Sequence, residues 1–356
     1  MSTPTLDLAR EYFQNEVLPR ANAMDGDVEV LRDALRGLCQ RGLMALRRPQ
    51  EYGGPAWPEG DFRSFQEEAA RTSGSLAFLQ TQHQSAVSMI ARGADEEFKQ
   101  ATLPLMSDGR LLMGIGFSQL RRPGEPIMTA VEDGDGFILN GEVPWITGAG
   151  LFSEFLIGAQ LPDGQAVFGR VPLQSQTRGQ GEIQVSQPMR LMAMESAQTV
   201  SARLTNWRMT AEETAFIKPS GWIQNNDMIN VTLQGFFALG CARAGLDVVE
   251  AASARRKASA LPRYLDLLLK ELEECRVQMM ESSAPLEERL KVRAWGIDLA
   301  VRCAHAGVAA TGGYANSLES RAQRVYREAL VYTVSAQTSA IMEATMDRLI
   351  ARRGLI

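Results

Sequence analysis

The residues best suited to metal or thiol chemistry are few. The chain of 356 residues holds 2 histidines, His83 and His305, and 4 cysteines, Cys39, Cys241, Cys275 and Cys303. Zinc-type sites need such ligands clustered at short spacing, and only Cys303 and His305 come near each other in sequence. Two positions apart on a helix, they point to different faces. No metal site is therefore expected, and the thiols read as reduced, buried and cytosolic. The formal net charge of −5 leaves no broad basic surface for nucleic acid. No uncharged apolar run of about 18 residues exists, so no membrane span is expected. Residues 1–21 carry Asp7, Arg10, Glu11, Glu16 and Arg20, too many charges for a signal-peptide core.

The elements that must position any chemistry fall into three zones, 1–112, 113–220 and 221–356. In the first, Leu31, Leu35 and Leu38 recur at helical spacing and Gly42 can end that helix. The stretch 51–55, with two glycines and a proline, reads as a loop. Helix resumes over 62–70, and again from Ser75, a candidate N-cap, to about Arg92, with a shorter helix over 94–103. The second zone changes character. The turn Asp133-Gly134-Asp135-Gly136 joins extended runs over 128–132 and 137–141. Pro162-Asp163-Gly164 joins runs over 152–161 and 165–171. Val200, Ala202 and Leu204 alternate with polar residues as in a half-buried strand. An antiparallel, barrel-like zone is expected. In the third, Leu265, Leu268, Leu269, Leu272 and Cys275 form one apolar stripe, and 228–249 reads as a buried helix. Pro285 and Gly312-Gly313 separate later helices, which predicts an up-and-down four-helix bundle.

Three segments in order carry a resemblance. They are Gly74-Ser75-Leu76-Ala77 with Gln82-His83-Gln84-Ser85, then 135–142 followed by Trp145-Ile146-Thr147-Gly148-Ala149-Gly150, then Gly312-Gly313-Tyr314 with Arg324-Val325-Tyr326-Arg327-Glu328-Ala329. Over nearly its whole length the chain resembles the acyl-CoA dehydrogenases. The resemblance implies an α+β fold: an N-terminal helical domain, a middle antiparallel β-barrel domain and a C-terminal four-helix bundle. It also implies FAD. Trp145 would lie against the isoalloxazine ring, and Thr147 would hydrogen-bond near its N5. Phe117, Ser118 and Ile146 would complete that shelf. Arg255 would reach a pyrophosphate, usually of FAD on a neighbouring subunit, and Gly312 and Gly313 would let backbone approach the adenine end. The bland alternatives are a barrel-core aromatic, a strand threonine, a solvated arginine and a simple helix break.

In the family a glutamate removes the α-proton of an acyl thioester while the β-hydrogen leaves as hydride. Its commoner position is occupied here by Ala336, and the alternative one by Asn230. Neither side chain takes a proton, although the Ala336 backbone N–H could still polarise a thioester carbonyl. Glu125, Glu195 and Glu343 are replacement candidates that read as surface carboxylates. His83 reads as a packed histidine or a cavity proton carrier. Arg121 and Arg122 either meet a phosphate or decorate a loop. The arginine that many members carry near the CoA end is replaced by Val231. The usual Phe-Gly after Arg255 is absent from 256–260, and Ala309 stands where a glutamine often precedes the double glycine. The expected function is an FAD-dependent oxidoreductase on the CH–CH group of an acyl thioester. The alternatives are a flavin-dependent monooxygenase or oxidase, and a non-catalytic homologue. An electron-transferring flavoprotein or flavin reductase, and a homodimer or homotetramer, are the implied partners.

Overall fold

The computed structural model describes residues 4–255, 260–281 and 283–351. Helix α1 (Leu6–Tyr12) begins at Thr5, whose hydroxyl accepts the Leu8 N–H. It runs through a wide turn at Phe13–Val17 and a tight one at Leu18–Arg20 into α2 (Ala21–Met24). Asp27 caps α3 (Val28–Gln40) by accepting from the Glu29 and Val30 N–H groups. Gly42, at φ +68°, ends it as the sequence predicts. Next come α4 (Glu59–Thr72) and α5 (Gly74–Ala91). The N-cap of α5 is Ser73 rather than Ser75: its hydroxyl accepts the Leu76 N–H at 3.3 Å. Gly74 is forced into the first turn because a Cβ there would meet the Glu328 carboxyl at 2.7 Å. Asp95 caps α6 (Glu96–Thr102).

The middle of the chain is a sheet of β1 (Met113–Gly116), β2 (Met128–Asp133), β3 (Gly136–Thr147), β4 (Glu154–Gln160), β5 (Ala166–Pro172), β6 (Gln176–Arg178), β7 (Gly181–Val185), β8 (Thr199–Met209) and β9 (Thr214–Lys218). Their order is β6-β7-β8-β3-β2-β4-β5-β9, with β1 beside β4. The pairings are antiparallel except those of β1 and β2 with β4. The loop 117–127 carries the chain from β1 to β2 without a tight hairpin, so both strands reach β4 in the same sense. Both expected hairpins form, but β3 runs six residues past the expected end, to Thr147. Its register with β8 shifts twice, between Leu139 and Gly141 and between Val143 and Ile146. Those irregularities accommodate Gly141, at φ +135°, and Pro144. The sheet wraps a shared apolar interior that includes Leu139, Val143, Phe155, Val200 and Trp207.

The last zone returns to helices. They are α7 (Trp222–Ile229), α8 (Gly235–Arg255), α9 (Leu261–Met280), α10 (Leu286–Thr311), α11 (Arg321–Val334) and α12 (Ser339–Ala351). The apolar run expected as one helix over 228–249 is broken, because Asn230 turns its amide back onto the Asn226 carbonyl and ends α7. The α9 stripe is buried at Leu265, Leu272 and Cys275 and half-buried between. Cys303 is buried on α10 while His305, two residues on, is exposed against Tyr326. Among the described residues no group of histidine, cysteine and carboxylates could hold a metal. No described helix is long and apolar enough to cross a membrane. Residues 256–259, part of the segment expected to depart from the family pattern, lie outside the described set.

Candidate functional site

A cavity of 800 Å³ opens where the helices of the first zone, the sheet and the last helices meet. The end of β3 supplies one wall. Trp145 projects from the strand and stays 51% exposed, while the next residue, Ile146, turns into the sheet interior and is fully buried. Thr147 faces the cavity again, and its hydroxyl meets that of Thr199 on β8 at 3.0 Å. Phe117 and Ser118, just after β1, extend the same wall. The Ser118 hydroxyl is buried and has no hydrogen-bond partner among the described residues. An unpartnered hydroxyl beside a half-exposed indole suits a flat, polar-edged aromatic ligand. The ring end of a flavin therefore fits these residues.

Ala336 and Asn230, from the last helical zone, also line the cavity. Ala336 sits in the turn between α11 and α12 at φ +49°. Its N–H makes no hydrogen bond with the described residues, whereas the N–H groups on either side bond to Val331 and Val334 carbonyls. The turn is held from behind by Arg293 of α10, whose Nη2 donates to the Ser335 carbonyl at 3.1 Å. Arg293 is 1% exposed, and its other nitrogens lack partners among the described residues. Burial pulls its pKa down to about 10, so it remains cationic. Asp227 is the only carboxylate among the described lining residues. It accepts both arms of the Arg121 guanidinium, at 2.7 and 2.8 Å.

Of the residues singled out by sequence, Phe117, Ser118, Trp145, Thr147, Asn230 and Ala336 are brought together. Ile146, Arg255, Gly312 and Gly313 are not among the lining residues. Arg255 is exposed on the last turn of α8, and the two glycines are exposed beyond the end of α10. Glu125, Glu195 and Glu343 are exposed and outside the cavity. His83 is fully buried outside it too: Nδ1 accepts the Met113 N–H at 3.0 Å, and Nε2 lies 2.7 Å from the Met106 carbonyl. That pattern places the ring proton on Nε2, and burial pulls the pKa down to about 4. This histidine fastens α5 to the chain entering the sheet. Arg121 is an ion-pair partner in the cavity wall, and Arg122 is exposed beside it. The sequence reading missed Thr199, Asp227 and Arg293. Their partners lie 52, 106 and 42 positions away and leave no local spacing signal.

Residues 4–110 match the family model described as acyl-CoA dehydrogenase, N-terminal domain. The 3-(aryl)acrylate reductase of Clostridium sporogenes is 22% identical across 94% of each chain. A probable acyl-CoA dehydrogenase of Bacillus subtilis, YngJ, is 22% identical across 96% of each. The solved glutaryl-CoA dehydrogenase of Mycobacterium smegmatis in complex with FADH2 shares the fold, with a TM-score of 0.77 at 18% identity over 97% of this chain and 93% of that one. The N-terminal third thus matches the acyl-CoA dehydrogenase family model, and over nearly its whole length the chain is similar to acyl-CoA dehydrogenases and shares their fold.

Proposed function

We propose that the protein is an FAD-dependent oxidoreductase acting on the CH–CH group of an acyl thioester without a side-chain carboxylate as base. The observation that carries this is the lining itself: a shelf of Trp145, Ser118 and Thr147 in one cavity with two non-basic residues, Asp227 being committed to Arg121. FAD supplies hydride transfer to or from the β-carbon when bound. Trp145 would flank the ring, and the Ser118 and Thr147 hydroxyls would bond its polar edge. Phe117 would close the apolar end. Arg255, Gly312 and Gly313, outside the cavity, would serve the pyrophosphate and adenine end.

The free N–H of Ala336 would donate to the thioester carbonyl and stabilise negative charge there as the α-carbon gains or loses a proton. The buried cation of Arg293 behind that turn favours the same charge. A positioned base ordinarily contributes about a hundredfold to ten-thousandfold. Slow dehydrogenation, or reduction of an activated double bond with the proton drawn from water, follows from its loss. The reductase name of the Clostridium sporogenes relative agrees with the second direction.

The same lining supports a second reading, a flavin-dependent monooxygenase or oxidase, since neither needs a glutamate at those positions. A flavin spectrum on the purified chain, followed by anaerobic titration with saturated acyl-CoAs and reoxidation by enoyl-CoAs, tests the first. Bleaching or reoxidation supports it, and a chain that binds flavin but responds to neither refutes it. Oxygen uptake with reduced flavin and a thioester would then favour the second. Absence of any flavin binding would leave a non-catalytic homologue. Restoring the carboxylate by Ala336→Glu is expected to raise dehydrogenation by at least tenfold. No gain in a variant that still binds flavin and acyl-CoA would contradict the placement of the site.

A further inference from the structure

Three buried side-chain atoms among the described lining residues of the cavity have no hydrogen-bond partner: the Ser118 hydroxyl, the Gln66 amide nitrogen and the Ser88 hydroxyl. The first belongs to the shelf beside Trp145. The other two come from the helices that precede the sheet and take no part in the shelf or in the turn at Ala336. Gln66 lies on α4 at 1% exposure, and Ser88 lies on α5 at 6%.

Which end of the Gln66 amide is free follows from its neighbour. Gln80, on α5, gives its Nε2 to the Ala77 carbonyl at 3.0 Å. A carbonyl oxygen only accepts, so the nitrogen of Gln80 must stand there. The same nitrogen donates to Oε1 of Gln66. The Nε2 of Gln66 is therefore left over, and it can only donate. Gln84, one turn on from Gln80, lines the cavity too but is satisfied at both ends. Its Oε1 accepts the Leu46 N–H at 3.1 Å, and its Nε2 donates to the Leu43 carbonyl at 2.8 Å. Thr81, Ser85 and Ser88 follow one another on α5 at spacings of four and three residues, and all three line the cavity. That spacing gives one helix face a row of hydroxyls.

A buried polar group left unpaired destabilises the fold and is seldom kept without a partner. A plain alkyl chain offers these two groups nothing. A hydroxyl or carbonyl oxygen accepts from the amide, and the Ser88 hydroxyl can donate to either. A carboxylate would need a buried counter-charge. The two arginines that the same helical zone gives to the lining do not supply one, because Arg47 is paired with Glu59 and Arg92 is exposed. We propose that Gln66 and Ser88 are specificity-determining residues, and that the acyl group of the substrate carries a neutral oxygen, hydroxyl or carbonyl, on its chain beyond the thioester. The proposal rests on the acyl-thioester reading of the cavity and narrows it. An unsubstituted chain is disfavoured because its binding would strand both polar groups away from water.

Calorimetric titration of the full chain with hexanoyl-CoA, its monohydroxy and mono-oxo isomers, and adipoyl-CoA tests it. At least one oxygenated isomer should bind about tenfold more tightly than hexanoyl-CoA, or better. Gln66→Leu, which removes the amide at similar volume, should close most of that gap. Ser88→Ala removes only a hydroxyl, should close the gap in part, and carries the test independently of how Gln66→Leu folds. Hexanoyl-CoA binding as tightly as every isomer would overturn the proposal, as would a gap of undiminished size in both variants. Adipoyl-CoA binding more tightly than all the neutral thioesters would overturn it too, by marking a charged acyl end. Flavin reduction is read separately. Discrimination among the isomers without any flavin response refutes the oxidoreductase reading and leaves the role of the two residues standing. Flavin reduction by hexanoyl-CoA with no discrimination refutes that role and leaves the reading. A chain that binds no thioester of the panel overturns both.

Discussion

His83 and Arg293 are both charged-type side chains placed where water does not reach, and each carries a consequence for stability. His83 is neutral in the fold, with a pKa near 4 against 6.5 for the free side chain, because burial disfavours its cation. Between those values the unfolded chain binds more protons than the native one. Its contribution is therefore complete above pH 6.5 and is lost as pH falls toward 4. From pH 7 to pH 5 the loss amounts to about 2 kcal/mol. Urea unfolding at the two pH values should show that slope in the wild type and a flatter one, by about that amount, in His83→Gln. Equal slopes would contradict the assignment. Arg293 differs in kind: it stays cationic, with one hydrogen bond and no carboxylate among the described residues. Replacing it by methionine removes a desolvated charge at the cost of that bond. Arg293→Met is expected to raise stability by about 1–3 kcal/mol in denaturant. A loss of similar size would mean that Arg293 has a compensating partner in solution.

The helices around the cavity are held by close backbone approaches that depend on glycine. At the crossing of α8 and α10, a Cβ on Gly245 would lie 2.5 Å from the Cys303 carbonyl carbon, and Gly307 packs against the Gly245 carbonyl from the other helix. Backbone cannot yield as a flexible side chain can, so Gly245→Ala should push the helices apart. The expected cost is about 2–4 kcal/mol, read as a lowered denaturant midpoint. An unchanged midpoint would show that the crossing is looser than it looks. The same elements show what a sequence discloses. The hairpin at Asp133–Gly136 was legible because its turn residues are local, as was the end of α3 at Gly42. The Ser73 cap was missed because Ser75, two residues later, is an equally good capping residue. Only the meeting of Gly74 with Glu328, 254 positions away, fixes the choice. The short strands β1 and β9 were missed because they pair with distant segments, and β6 and β7, although a local hairpin, because they carry too few alternating positions to register. In the site, motif order was enough to single out Trp145, Thr147, Asn230 and Ala336, which line one cavity. The free amide end of Gln66 was not legible, because only the fold sets Gln80 of the next helix against it.

At the scale of the whole molecule the cavity is enclosed by contacts that tie the three zones to one another. The Arg121–Asp227 fork joins the loop after β1 to α7. Arg276 on α9 pairs with Glu67 on α4 at 2.8 Å, and Arg327 on α11 with Asp25 beyond α2 at 2.6 Å. Buried Glu328 takes both the Arg324 guanidinium and the Gly74 N–H, linking α11 to the start of α5. A ligand against Trp145 and Ser118 therefore touches walls that cannot separate independently, and its binding energy should appear in the unfolding of the entire chain. For FAD at a hundred times its dissociation constant the gain is about 2.7 kcal/mol. Spread over the unfolding entropy of a chain this long, that is a rise of about 3–4 °C in Tm. Differential scanning calorimetry of the apo chain with added FAD should show one transition moving upward as a unit. Trp145→Ala should remove most of the rise while leaving the apo transition in place, because the indole is half exposed and contributes little to the core. A rise of equal size in Trp145→Ala would separate FAD binding from this shelf. A transition that splits on adding FAD, with only its sheet component moving, would show that the walls are not coupled as these contacts require.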